Sequence, residues 1–302
     1  MSNSNKPGVI EWFLLLFLTL IWGFSYYFIK YSLSSFNPVQ ISALRMIISG
    51  VSMIPILLFT VHKIPKNKLL PIFFCGLLGS AIPAFLYPLA QTKISSSLTG
   101  IINAFTPICT YSIGIFFYQI QKENHKILGS VIALIGAIFI IIFKPTASFN
   151  AEFFYLLIAF VVPFLYGWNG NILKKDLAGI PGIPLTAMMY VMMTLVCIPI
   201  GLFSNSFSQI PIAISEGNAF YHLLGLSLLG SALAMTLFNI LIQRVHILFA
   251  TSVTYLMPIV TVLVGVFDGE TVLWNEIAGL IFILIGVLLI NKIIKFKKEK
   301  ST

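Results

Sequence analysis

The residues of this 302-residue chain best equipped for chemistry are polar groups set singly into apolar sequence. Arg45 lies inside PVQISALRMIISG, about two helical turns from Pro38. A guanidinium there has two uses: it forks onto a ligand carboxylate, or it ties down backbone carbonyls. Pro107 and Pro258 interrupt two other apolar runs, with Asn103 one turn before the first and Thr254 and Tyr255 before the second. A proline inside a helix removes a backbone hydrogen bond, so the carbonyls it frees either bind a ligand or simply mark a packing kink. Tyr87 with Gln91, and Asn239 with Gln243, are four residues apart and share a helix face. Trp22, Ser25 and Tyr26, and likewise Tyr166, Trp168, Asn169 and Asn171, form two aromatic and amide clusters. Such clusters either anchor span ends at an interface or line a binding site, and the amides weigh toward the site.

Groups that make or break covalent bonds are not assembled. His62, His125, His222 and His246 fall in or beside connections, none next to a carboxylate in a pattern suited to catalysis. Cys75, Cys109 and Cys197 have no paired spacing and read as small packing residues, not a disulfide or metal framework. No GxxxxGK[ST] loop is present for a nucleotide, and no Asp or Glu lies mid-run to relay protons. These residues recognise a small molecule without covalent chemistry: no enzyme, cofactor or metal is expected, and a membrane enzyme or channel is the reading from another class.

The elements that position them follow from composition. With 58% hydrophobic and 9% charged residues, and a mean hydropathy of +0.99, the solvent for most of the chain is lipid. Ten apolar runs are long enough to span a bilayer as helices: 12–30, 38–61, 69–91, 96–118, 127–144, 152–173, 184–204, 219–241, 247–268 and 273–294. No small-x-small cleavage site follows the first run, since Ser25 is succeeded by Tyr26, Tyr27 and Phe28, so it reads as a span and not a signal peptide. The net charge of +9 is spread over short connections, which argues against nucleic acid and for membrane orientation. With the N-terminus in the cytoplasm, Lys6, Lys63, Lys66, Lys68, Lys122, Lys126, Lys174, Lys175, Arg244 and the Lys292–Lys300 tail lie inside, and only Lys30, Lys93 and Lys144 outside. The expectation is a multi-pass plasma (inner) membrane protein with both termini cytoplasmic, a monomer or homodimer whose partners are the bilayer and a small-molecule substrate.

An internal repeat organises the runs. Leu77 to Ala81 and Leu228 to Ala232 are both LLGSA, an offset of 151 (Leu77 onto Leu228), which also places Pro107 on Pro258 and Gly114 on Gly265. WGFSYYFIK at Trp22 resembles YGWNGNILK at Tyr166, and Pro38 with Pro55 echoes Pro184 with Pro199 after a two-residue shortening. Each copy, 1–148 and 149–302, then holds five spans, and an odd number turns the second copy upside down. Inverted repeats are a recurrent design of secondary transporters, because the halves can exchange conformations and open alternately to either side. The expected cavity lies between the first, third and fourth spans and their counterparts.

The WGFSYYFIK start, the PVQISALR opening of the second span, the proline-centred fourth spans and the fifth spans GSVIALIG and GLIFILIG are together similar to the EamA family of the drug/metabolite transporter superfamily. That resemblance implies ten helices around a central cavity and export of amino acids, other metabolites or toxic compounds without an ATPase; uptake by the same fold is the alternative. Two departures stand out: the second copy has no arginine matching Arg45, and the first has Gln119 where the second carries Glu270. The candidate substrate site read from the residues themselves comprises Trp22, Tyr26, Arg45, Tyr87, Asn103, Trp168, Asn171, Asn239 and Tyr255, with Pro107 and Pro258 as kinks or gates.

Overall fold

The computed structural model describes residues 7–119, 123–142, 149–245, 250 and 253–290. Lys6, Lys122, Lys144 and the basic tail, on which part of the orientation argument rests, lie outside the described residues, as does His246. Every regular element among the described residues is helical. Seven stretches are long and apolar enough to cross a membrane: Val9–Ser32, Pro38–Lys63, Lys66–Gln91, Ser96–Tyr118, Glu152–Lys175, Gly182–Phe203 and Ala219–Ile242. Three shorter apolar helices, Ile127–Gly136, Leu256–Phe267 and Trp274–Gly286, fall on the other three apolar runs. Large apolar side chains lie on the outside, as at Phe203 (91% exposed) and Phe267 (88%), while Ser42, Ser49, Thr99 and Asn103 are buried. That is the distribution of a chain whose outer solvent is hydrocarbon.

Helix α1 is Val9–Ser32 and α2 is Pro38–Thr60. The start of α2 is set locally: Asn37 Oδ1 accepts from Gln40 N at 2.9 Å, Gln40 Oε1 accepts from Asn37 N at 3.0 Å, and Pro38 fills the first turn. The third run does not form one regular helix. A single π-helical turn, Leu77–Ala81, joins α3 (Leu69–Gly76) to α4 (Ile82–Gln91). The fourth run is two helices, α5 (Ser96–Asn103) and α6 (Thr106–Tyr118). Here the bend expected at Pro107 is a break: proline has no N–H for the Asn103 carbonyl, and Thr106 Oγ1 donates to that carbonyl instead, at 2.7 Å.

Helix α7 is Asn124–Ile142, α8 is Phe149–Lys175 and α9 is Gly182–Phe203. The connection after α9 carries a helix of its own, α10 (Ser206–Glu216), tied to the α1–α2 corner where Gln209 Nε2 donates to the Ser35 carbonyl at 2.9 Å. A second π turn, Leu228–Leu233, joins α11 (Ala219–Ser227) to α12 (Ala234–Arg244) and contains the second LLGSA. Helices α13 (Val253–Phe267) and α14 (Trp274–Ile290) follow, and Pro258 sits inside α13 without interrupting it.

Packing is arranged in matching pairs. Helix α2 lies along α9, and α7 along α14. Helix α1 packs on α13 as α8 packs on α6, and α1 on α12 as α8 on α4. At the α7–α14 crossing the backbones meet on glycines from both sides, since a Cβ on Gly136 would come within 2.7 Å of the Gly279 carbonyl and one on Gly286 within 2.7 Å of Ala133 Cβ.

Candidate functional site

Each π turn brings a serine of the repeated LLGSA, Ser80 or Ser231, to a polar side chain of α9 or α2. Arg45 Nε donates to Ser231 Oγ at 2.7 Å, and Ser80 Oγ donates to Tyr190 OH at 3.5 Å. Tyr190 of α9 therefore takes, in the second half, the place that Arg45 of α2 takes in the first. The glycine before each serine makes room for α1 or α8: a Cβ on Gly230 would lie 2.6 Å from Ser25 Oγ, and one on Gly79 would lie 2.6 Å from Asn169 Cγ. A π turn widens the helix by one residue and turns peptide groups out of the ladder. Trp22 uses this, its Nε1 donating to the Gly230 carbonyl at 3.1 Å.

Around Arg45 stands a group of tyrosines from four different helices. Tyr26 and Tyr87 meet edge-on at 5.4 Å between ring centres, and Tyr87 and Tyr166 lie 6.3 Å apart. The Arg45 charge acts on Tyr26, Tyr166 and Tyr190. Tyr87 OH donates to Asn103 Oδ1 at 2.8 Å, and Thr106 Oγ1 donates to the same oxygen at 3.2 Å, so the break in the fourth run is joined to the aromatic group. Asn169, also at this level, is buried, and its Oδ1 has no hydrogen-bond partner among the described residues. Replacing Tyr87 with Phe leaves Asn103 Oδ1 with one donor in a buried site, and thermal unfolding of the purified variant should show a loss of about 1 kcal/mol.

The other expected site residues lie elsewhere. Asn171 Nδ2 donates to the carbonyls of Thr110 (3.0 Å) and Gly167 (2.8 Å), fastening α8 to α6. Trp168 is 37% exposed and rests against Phe117, with 4.7 Å between ring centres, on the outer face of the bundle. Asn239 Nδ2 donates to Thr186 Oγ1 at 2.8 Å, toward the Lys174 end. The side chain of Tyr255 lies outside the described residues. Sequence reading passed over Ser80, Ser231 and Tyr190. The paired serines lie inside the repeated LLGSA, and the two-residue shortening between Pro38–Pro55 and Pro184–Pro199 obscures the alignment of Tyr190 with Arg45.

The two ends of the bundle differ. At one end Lys30 pairs with Asp268 and, at 3.1 Å, with Glu270, while Tyr31 OH donates to Asp268 Oδ1 at 2.6 Å. Glu270 also accepts from Ser96 N (3.2 Å), Ser96 Oγ (2.7 Å), Ser97 N (3.0 Å) and Ser97 Oγ (2.6 Å), a carboxylate seated on the N-terminus of α5. Burial alone would raise its pKa, but the Ser97 and Ser96 hydroxyls, the Ser97 N–H and Lys30 together bring it down to about 2. This clasp ties α1, α5 and the end of α13 together. At the other end the residue matching Lys30 is Lys174, which has no ion pair among the described residues and lines a cavity of about 230 Å³ with Gly170, Leu177 and Asn239.

The family profile described as the EamA-like transporter family matches residues 10–142 and again 153–292. The chain belongs to the EamA-like transporter family. It is a multi-pass membrane protein of that transporter family. It is 25% identical over 283 residues to an uncharacterized inner membrane transporter, YedA, of Escherichia coli (strain K12), covering 91% of this chain and 88% of that one. To a protein of Salmonella typhimurium (strain LT2) named as a probable amino-acid metabolite efflux pump it is 24% identical over 301 residues, 94% of each. A solved structure, titled only as the crystal structure of a protein, matches with a TM-score of 0.64 at 15% identity, over 94% of this chain and 96% of that one. The likeness at that identity is one of fold.

Proposed function

We propose that this EamA-family chain is a secondary transporter that moves small metabolites by alternating access, and that it exports amino acids or related compounds. In this reading it has ten spans in two inverted five-helix repeats, 1–148 and 149–302, lies in the inner membrane with both termini cytoplasmic, and works as a monomer or homodimer. The observation that carries it is the polar centre built from matched pairs: Ser80 with Ser231, Arg45 with Tyr190, and Ser25 with Asn169, each member contributed by the opposite half. A site shared by two halves of opposed orientation can be handed from one side of the membrane to the other by rocking one half against its partner. The unequal ends agree with that motion, one held by the Lys30–Asp268–Glu270 clasp and the other carrying a cavity lined by Lys174 and Asn239.

Purified protein in liposomes loaded with labelled amino acids is expected to release them with saturable kinetics. Ion flux at channel rates without movement of any metabolite would overturn the proposal. Preloaded and unloaded cells separate export from uptake. Asn103→Ala and Tyr255→Ala should each lower transport several-fold at unchanged membrane expression, and unchanged kinetics in both would remove these positions from the site.

A further inference from the structure

We infer that Arg45 is the carboxylate receptor of this transporter, so that its substrates are small monocarboxylates, including amino acids, and that the corresponding amides are refused. The inference rests on the transport reading above and assigns the chemistry of the same central site. A guanidinium kept for structure spends its five donors on carbonyls or acids, because an unpaired charge in a low-dielectric centre is costly. Arg45 makes one hydrogen bond among the described residues, from Nε to Ser231, and no ion pair. The tether to Nε fixes the plane of the group and leaves the terminal nitrogens for the forked geometry that suits a carboxylate. What surrounds it is neutral: the tyrosines 26, 166 and 190 within reach of its charge, and serines.

The matched pairs decide the sign and the number of charges. Because Tyr190 stands where a second arginine would complete the symmetry, the centre holds one positive charge and not two. One carboxylate neutralises it, the ammonium of an amino acid being left to neutral acceptors such as Asn169 Oδ1, unpartnered among the described residues; a phosphate ester, with a charge near −2, would leave about one negative charge buried and uncompensated. The ends act in the same direction. Lys30 is already neutralised by acids of the chain, whereas Lys174, without an ion pair among the described residues, lines its cavity and attracts anions to the opposite end.

The test compares efflux of each labelled amino acid with that of its amide and with phosphoserine, from liposomes holding wild type, Arg45→Gln or Arg45→Lys. Wild type should move the acids and neither the amides nor phosphoserine, and Arg45→Gln should cut acid transport about tenfold or more, the loss expected for a charge-assisted hydrogen-bonded pair. Arg45→Lys keeps the charge without the fork, so it should retain the preference for acid over amide at a lower rate; it also decides the matter where Arg45→Gln does not fold. Equal movement of acids and amides by wild type or by Arg45→Lys, preferred movement of phosphoserine, or normal acid transport by a folded Arg45→Gln would each overturn the assignment while leaving transport intact. Movement of none of these compounds by wild type would overturn the assignment and the amino-acid reading together.

Discussion

Gly50→Val is expected to remove about 3 kcal/mol or more of stability, the upper end of the cost of overpacking, because it strikes a stiff β-branched side chain and a backbone carbonyl together. Gly50 lies where α2 crosses α9. A Cβ there would overlap Thr194 Oγ1 and come within 2.5 Å of the Tyr190 carbonyl. Thr194 Oγ1 donates to the Met46 carbonyl at 3.1 Å across the same crossing, and Ser49 Oγ donates to the Ser227 carbonyl at 2.8 Å one residue before the glycine. The Tyr190 carbonyl cannot turn aside, so α2 and α9 must part and the Thr194–Met46 bond with them. In lipid there is no hydrophobic force to press them together again, since hydrocarbon is as good a partner as another apolar helix. Displacing the Tyr190 backbone also moves the residue that balances Arg45. Thermal unfolding in detergent and the yield of monodisperse protein measure the effect. Gly170→Ala is the control: its Cβ would meet only Thr110 Cγ2, at 3.8 Å, and alanine is the better helix former, so it should be neutral or stabilising. Equal stability of Gly50→Val and wild type would show that the crossing is looser than described.

Glu270→Gln should open the clasped end. The carboxylate accepts from two N–H groups and two hydroxyls and faces Lys30, whereas an amide presents only one acceptor oxygen and sets an NH₂ against donors. Its pKa, lowered from 4.5 to about 2, corresponds to about 3 kcal/mol of stabilisation by linkage. The sign follows from the direction of the shift: a depressed carboxylate contributes fully above pH 4.5 and loses that contribution as the pH falls toward 2. Wild type should therefore destabilise progressively over that window, and Glu270→Gln should be flatter there while less stable at neutral pH. A reporter cysteine at Thr99, a fully buried residue one turn below Ser95, reads the opening directly. Its labelling by a membrane-impermeant maleimide should be at least about tenfold faster in the Glu270→Gln background, as the loss of charge-assisted hydrogen bonds implies. Identical labelling rates would mean that the clasp does not hold this end closed.

Much of the scaffold could be read before any coordinates. Apolar run length requires membrane spans because an unpaired backbone group in hydrocarbon is so costly, and the start of α2 at Pro38 follows from Asn37 and Gln40 alone. Proline 107 was legible as a disturbance, but not as a break: that depended on whether Thr106 could take over the orphaned Asn103 carbonyl. Pro258, with the same residue type at the matching position, leaves α13 continuous, so the outcome lies in the neighbours of each proline. Trp168 and Asn171 belong in sequence to the cluster that corresponds to Trp22, Ser25 and Tyr26. One faces outward against Phe117 and the other is occupied by backbone carbonyls, because helix rotation is set by packing and not by the local residue pattern.

Arg45 shows the division most clearly. Its residue type and its place in an apolar run were enough to mark it as a charge that must have a reason to be there, since every context-free alternative is unfavourable in lipid. Whether that reason was structure or substrate was undetermined, because it depends on which donors are already used. The tertiary structure brings Ser231 of a distant π turn to Nε and places Tyr190 where a second charge would complete the pair, and on that ground we assign Arg45 to substrate. Runs of apolar residues act on the solvent one segment at a time and so can be read along the chain. Hydrogen-bond partners nearly 190 residues apart exist only once the segments have packed.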